Sequence, residues 1–365
     1  MIMDNIATQL TQLQTIKQDI ATAIEGKGGT VGEGFDTYAT AISNIPSGGG
    51  GTPQIRLSEN PDLRFGYSKF SSLPNWLIVD TVYDNLFYMC YNLEGSINLP
   101  NTLTNIPDST FYYCNLLNNI HLPTSLTWIS NNAFYCCYLL HFDSSTSLIL
   151  PSSLEYIGDS AFYSCHSLTS VTIPNSVTKI ESNTFYDCRE LTSVSIPRNA
   201  YLFGNIDYDG TNTLTSSCFA YCTGLTSVTI PGEIKMPGYN MFEGCGNLTS
   251  VTIEEGIELL PDYIFSNCSS LTSVTIPSTV EYLHDNVFNY CQALEWIKCL
   301  PLTPPEHYEE HLWGHGPIFP FEDTNDCPIY VPDAALSAYT SSSIWENYWS
   351  RLKPMSDFAT DFPNA

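Results

Sequence analysis

The stretch 160–197, SAFYSCHSLTSVTIPNSVTKIESNTFYDCRELTSVSIP, holds a 23-residue unit and most of its next copy. Phe162 and Phe185, Cys165 and Cys188, Leu168 and Leu191, and Pro174 and Pro197 fall in register. A fixed period in this range is the mark of a solenoid, in which each unit buries its apolar face only against its neighbours. Phe-x-x-Cys anchors recur at Phe87, Phe111, Phe134, Phe162, Phe185, Phe219, Phe242, Phe265 and Phe288. Two departures interrupt the period: about five extra residues after Cys137 and about eleven after Pro197. Insertions of this kind map to solenoid loops, often on a binding face.

Within each unit, LTSVTIP is the expected strand. Leu168, Val171 and Ile173 point inward and Ser170 and Thr172 outward, as pleat alternation requires. Parallel strands stacked at about 4.8 Å over nine to ten units predict a curved sheet roughly 45 Å long. The return segment NSVTKIESNTF carries Val177, Ile180 and Phe185 inward, and Pro174 ends the strand.

Nine of the 13 cysteines, Cys90, Cys114, Cys137, Cys165, Cys188, Cys222, Cys245, Cys268 and Cys291, share one repeat position. One cysteine per turn suits an interior slot for a small apolar side chain. It does not supply the converging ligands of a metal site, so reduced, structural thiols are expected. Charge narrows the partners further: 12 Lys and Arg face 38 Asp and Glu, a net charge of −26. That field repels phosphate backbones and anionic lipid heads, so neither nucleic acid nor membrane is an expected partner. The start, MIMDNIATQLTQLQTIKQDI, has no basic region leading into an apolar one, and no run approaches a membrane span. Synthesis in a cytoplasm without signal-directed export is the resulting expectation.

The recurring phrase CxxLTSVTIPxxVxxIxxxxF resembles the BspA-type leucine-rich repeat, a family common in bacterial surface proteins and found in some phages. The resemblance covers about two thirds of the chain. It implies an α/β repeat solenoid, a leucine-rich-repeat curved parallel sheet of about nine to ten repeats. CPIYVPDAALSAYTSSSIWENYWSRLKP (327–354) looks like the family's closing unit, a last strand and a Pro-Asp helix start. Tyr339, Trp345 and Trp349 would fold onto the open end, since a solenoid must cover its terminal repeat. The expected organisation is a helical anchor at 1–46, a Gly-rich linker at 47–53, an N-terminal cap at 54–86, repeats at 87–301, and an insert and C-terminal cap at 302–365.

Residues 4–24 have the pattern of an amphipathic helix. Leu10, Lys17 and Ile24 occupy heptad a positions, and Ile6, Leu13 and Ile20 occupy d positions, an arrangement that favours three or more strands. A self-associating trimer and packing against a different protein both remain open. Gly28 and Gly29 end this helix; a second piece carries Phe35, Tyr38, Ala39, Ile42 and Ile45, and SGGGGTP follows as a flexible linker. The pattern IKQDIATAIEGKGGTVGEGFDTYATAISNI resembles the N-terminal segment of many tail-fibre and other virion proteins of phages that infect gut bacteria. That resemblance implies attachment to other virion proteins.

Candidate sites are few. The outward strand positions Asn119 and His121, Ser170 and Thr172, Ser193 and Ser195, Ser227 and Thr229, Ser250 and Thr252, Ser273 and Thr275, and Trp296 and Lys298 form one possible contact face. Ser and Thr are also ordinary soluble strand residues there. Trp296 is the expected stacking residue on that face. Asn205, Asp207 and Asp209, ahead of Gly210, partly match a calcium loop, but Ser216 stands where the bidentate Glu belongs, so an Asx-rich turn competes with this reading. His307, Glu310 and His311 fit H-x-x-E-H, with His315 beyond, yet they follow Pro304 and Pro305 in a loop rather than lying on a catalytic helix. There is no Gly-x-Ser-x-Gly elbow or phosphate loop, and carboxylate pairs such as Glu254 and Glu255 are expected to be solvated and unperturbed. No catalysis and no obligatory cofactor follow. The expected role is a non-enzymatic phage fibre or decoration protein of the virion, made in the host cytoplasm. Its N-terminus would be anchored in the particle, and its solenoid would contact a host-surface protein or glycan. The alternative is a bacterial interaction module outside any virion.

Overall fold

Each repeat makes one turn with three sides, and each side is joined to its neighbours by its own hydrogen-bond ladder. The computed structural model describes residues 55–59, 65–66, 72–73, 77–142, 145–198, 202–203, 216–234, 237–307 and 320–364. The helical anchor residues Ile6, Leu10, Leu13, Ile20 and Ile24 lie outside these, as do Asn205, Asp207, Asp209, Glu310, His311 and His315.

The front side is the expected strand. Ser170–Thr172 pairs in parallel with Ser193–Ser195, matching Ser170 to Ser193 and Val171 to Val194. Val171 is buried while Ser170 and Thr172 face out. This front sheet is divided into ladders of two, three and six strands. The breaks fall after Leu117–His121 and after Ser193–Ser195, where the chain carries its insertions. A turn with extra residues cannot hold the strand register of its neighbours.

The return side holds a second parallel sheet that apolar periodicity did not announce. Its strands are two residues long: Asn105–Ile106, Trp128–Ile129, Tyr156–Ile157, Lys179–Ile180 and Leu202–Phe203 form one ladder. A second contains Leu259–Leu260, Tyr282–Leu283 and Glu306–His307. The repeats are therefore built from strands and turns. Among the described residues the α-helices lie in the cap, at Leu336–Ser341 and Phe358–Asp361.

The third side is the turn around each Phe. The residues two before and two after it adopt left-handed backbone, as at Asn183 (φ 55°) and Asp187 (φ 59°) around Phe185. This geometry aims three amides at the next turn: Asn183, Phe185 and Asp187 donate to the carbonyls of Ser216, Cys218 and Ala220 at 2.8–2.9 Å. Left-handed backbone favours Asn, Asp and Gly, and these slots hold Asn240 and Gly244 in another unit.

The core lies between these sides. Eleven Phe rings, from Phe65 through Phe185 to Phe321, stack along the axis with centroids 5.2–5.9 Å apart and planes within 13°. The stack thus extends one rung beyond Phe87 and one beyond Phe288, the latter within the irregular stretch that follows the repeats. Beside it runs the ladder of nine cysteines, and all thirteen thiols of the chain are free and buried. These thiols do more than fill space. Cys188 Sγ donates to the Phe162 carbonyl of the preceding turn at 3.3 Å, and eight others repeat the contact at 3.0–3.3 Å. An interior carbonyl gains a donor without needing a strongly polar side chain.

The last turn is closed by a lid. The 3-10 segment Ser343–Arg351 places Trp345, Tyr348 and Arg351 on one face, since three residues make one such turn. Trp345 and Tyr348 pack against Phe321. Trp349, expected to cover the end, instead stays 44% exposed, because the three-residue period rotates it off that face; only its Nε1 is held, by the Tyr339 carbonyl at 3.2 Å. Tyr339 is fully buried and donates to the Pro301 carbonyl at 3.0 Å.

Candidate functional site

The described interior is mainly apolar, and its thiols are deeply buried. Burial pushes the thiols of Cys245 and Cys291 up to about 12, and that of Cys188 higher still. A thiol that stays protonated is neither nucleophile nor ready metal ligand. Among the described residues no cluster of three or more His, Cys, Asp or Glu is placed to hold a metal ion. Nor is any helix among them long and apolar enough to cross a membrane.

The expected front face forms in part. Ser227, Ser250 and Ser273 align along the axis, as do Thr229 and Thr252, with outward side chains. Asn119 donates to Ser96 at 2.9 Å and Ser170 to Ser147 at 2.7 Å, so some of these groups are engaged along the stack. Trp296 and Lys298 correct the expectation. They join the column, opposite Ser273 and Thr275, but the C-terminal helix covers them. Phe358 packs edge-on to Trp296 at 4.9 Å, and Lys298 Nζ lies 3.6 Å from the Phe358 centroid. Trp296 is half-buried cap packing, set by residues some sixty positions downstream.

Polar clusters outside that face are structural. Asp187 accepts from Ser164 at 3.0 Å, contacts His166 Nε2 at 3.2 Å, and takes Arg189 Nε at 2.8 Å. Although burial opposes ionisation, these hydrogen bonds hold its carboxyl below the usual range. Serine and histidine both address the aspartate, so the order needed to activate a serine nucleophile is not formed. Arg198 forks between Glu233 and Glu254 at 2.8–3.0 Å, bridging the two flanks of the 198–216 insert. Its hydrogen bonds hold Glu254 below the ordinary carboxylate range, which corrects the expectation that this carboxylate is unperturbed.

Aromatic residues make the other two surface features. Tyr88, Tyr112, Tyr135, Tyr163 and Tyr186, each one after a core Phe, stack at 4.5–4.8 Å. Their faces cover one another, and burial raises the Tyr186 phenol to about 12. The second feature is Trp128 on Tyr156, centroids 4.0 Å apart and planes 23° apart, on the return sheet. Trp128 is 43% exposed. Sequence reasoning passed over this pair; the available clue was its position just before the buried Ile of each return strand.

Turns of fixed length, a Phe core and an inward Leu-x-x-Val-x-Ile strand agree with a single family model, described as a BspA type leucine-rich repeat region, which matches residues 80–212 and 205–301 in six copies. The chain belongs to the BspA-type leucine-rich repeat family. Solved structures similar to this member include a leucine-rich repeat protein of T. pallidum, 29% identical over 55% of this chain and 76% of that one, with a TM-score of 0.34. A Bacteroides ovatus leucine-rich repeat protein is 20% identical over 78% of this chain and 83% of that one, TM-score 0.34. One from Eubacterium ventriosum is 19% identical over 78% and 71%, TM-score 0.43. No curated protein matches the chain significantly.

Proposed function

We propose that this leucine-rich-repeat protein is a non-enzymatic structural and adhesion component of a phage virion, a fibre or decoration protein. Residues 1–46 anchor it to other virion proteins and assemble it as a homotrimer, and the solenoid contacts the host surface. The N-terminal pattern resembling phage virion segments carries the particle assignment. The solenoid supports the contact role: its interior is committed to Phe stacking and thiol hydrogen bonds, leaving chemistry to the exposed sides. The family match by itself equally suits a bacterial protein-interaction module outside a virion.

Mass spectrometry of gradient-purified particles separates the two readings. The proposal expects peptides of this chain at a fixed ratio to the capsid protein. Their absence from infectious particles overturns it and leaves the interaction module.

A further inference from the structure

On the return side, the outward residue of each two-residue strand forms a column in which Asn105, Trp128, Tyr156 and Lys179 are in register. Tyr156 covers one face of the Trp128 indole. The next position beyond the other face belongs to the shorter Asn105, whose amide oxygen is already held by Ser130 Oγ at 3.1 Å. An indole braced on one side and 43% exposed is therefore presented to solvent.

The charges around this pair do not balance. Glu181 is only 6% exposed. One of its oxygens accepts from the Tyr156 hydroxyl at 3.1 Å and pairs with Lys179, while the buried Oε2 has no hydrogen-bond partner. A buried carboxylate oxygen without a donor is costly. Asp108 and Asp159 add two carboxylates that act on the Tyr156 ring; Asp108 accepts from the Asn131 backbone N–H at 2.9 Å, and Asp159, whose burial raises its carboxyl above the usual range, accepts from the Ser160 hydroxyl and the Asn183 side chain. Burial first, then the charges of Glu181, Asp159 and Asp108, raise the Tyr156 phenol. Among the described residues, three carboxylates thus act on this ring against one facing cation, Lys179, which is 6.0 Å from its centroid and pairs with Glu181.

We propose that the Trp128–Tyr156 column is a docking point for a basic segment of a partner protein, one Arg or Lys of which lies on the open indole face and reaches the flanking carboxylates. An aromatic face attracts cations, indole most strongly, and carboxylates take a guanidinium in bidentate fashion. The net charge of −26 steers basic partners toward the chain. A neutral sugar also stacks on indole but leaves the excess negative charge uncompensated, and an anionic ligand is repelled. The inference rests on the solenoid being a contact surface and is independent of attachment to a virion.

Titration calorimetry of the full chain with hexa-arginine in 0.15 M salt tests it. Trp128→Ala leaves the net charge unchanged, so it separates the indole from general attraction of a polycation. Binding is expected to weaken about fivefold in Trp128→Ala and also in Asp108→Asn, and to stay unchanged in Trp349→Phe, which alters an exposed indole elsewhere. Trp128→Leu, which keeps apolar bulk beside Tyr156, should weaken binding equally and guards against misfolding of the Ala variant. Equal affinity in wild type and both Trp128 variants, or no binding at all, overturns the proposal. So does binding of the neutral probe cellohexaose that depends on Trp128 when hexa-arginine binding does not. No particle enters this experiment, so its failure leaves the virion reading standing, and the reverse also holds.

Discussion

Replacing Arg351 by Met tests how the solenoid is closed. Arg351 is 8% exposed and has neutral partners: Nε donates to the Cys327 carbonyl at 2.8 Å, Nη1 to the Phe321 carbonyl at 3.3 Å and Nη2 to Thr324 Oγ1 at 2.9 Å. Its guanidinium also lies 5.5 Å from the Tyr348 ring. It supplies donors that a further repeat would otherwise bring. Hydrogen bonds from a charged donor contribute about 1.5–3 kcal/mol each, offset by several kcal/mol for desolvating the cation. Met retains much of the volume, so the main loss is the orphaned Cys327 carbonyl and a weakened Phe321 carbonyl. About 3 kcal/mol is the expected cost, or roughly a hundredfold increase in opening of the last turn. Thiols report it directly, because Cys327 is only 5% exposed and every other cysteine is buried within the stack or cap. In native protein at pH 8, Ellman's reagent should modify essentially none of the thirteen thiols of wild type, and one, Cys327, about a hundredfold faster in Arg351→Met. An unchanged Cys327 rate together with an unchanged thermal midpoint would refute the lid.

Three further outcomes are expected. Phe185→Ala removes a ring stacked on both Phe162 and Phe219 and should cost about 3–5 kcal/mol in denaturant unfolding. Its increased hydrogen exchange should centre on 160–221, because each turn contacts only its neighbours. Arg198→Ala should lower the thermal midpoint slightly at low salt and not at 1 M salt. Glu254 has its folded pKa depressed by Arg198, so its stabilisation is present above the unfolded value and lost as pH falls through the folded one. The Arg198→Ala difference should therefore begin to shrink as pH falls below about 4.3; a difference that grows, or keeps its neutral-pH size until the protein unfolds in acid, rejects the pairing. Light scattering should give a trimer for the full chain and a monomer for a version beginning at Thr52; equal oligomeric states reject the anchor reading.

What the chain displayed in advance was whatever repeats. Phe162, Cys165, Leu168 and Val171 recur because every turn faces the same packing problem, and the structure buries them all. Interactions within one turn, or at only one place, were hidden. The return strands contain two residues each, too few to show a period. The left-handed turns accept Asn, Ser, Tyr and Met alike, so no single residue type marks them. Phe321 lacks the Phe-x-x-Cys spacing, although it completes the stack. Trp296 and Trp349 exchanged expected roles for tertiary reasons, the first being covered by Phe358 and the second turned outward by a three-residue period. Trp128 gained its meaning only when parallel pairing set it on Tyr156.

Adsorption competition tests the contact role most directly. Host cells are incubated with an excess of the purified full chain, then challenged with particles, and unadsorbed phage is counted over time. The account predicts a dose-dependent fall in the adsorption rate. A rate unchanged at saturating chain, with the chain shown not to bind the cells, would contradict it.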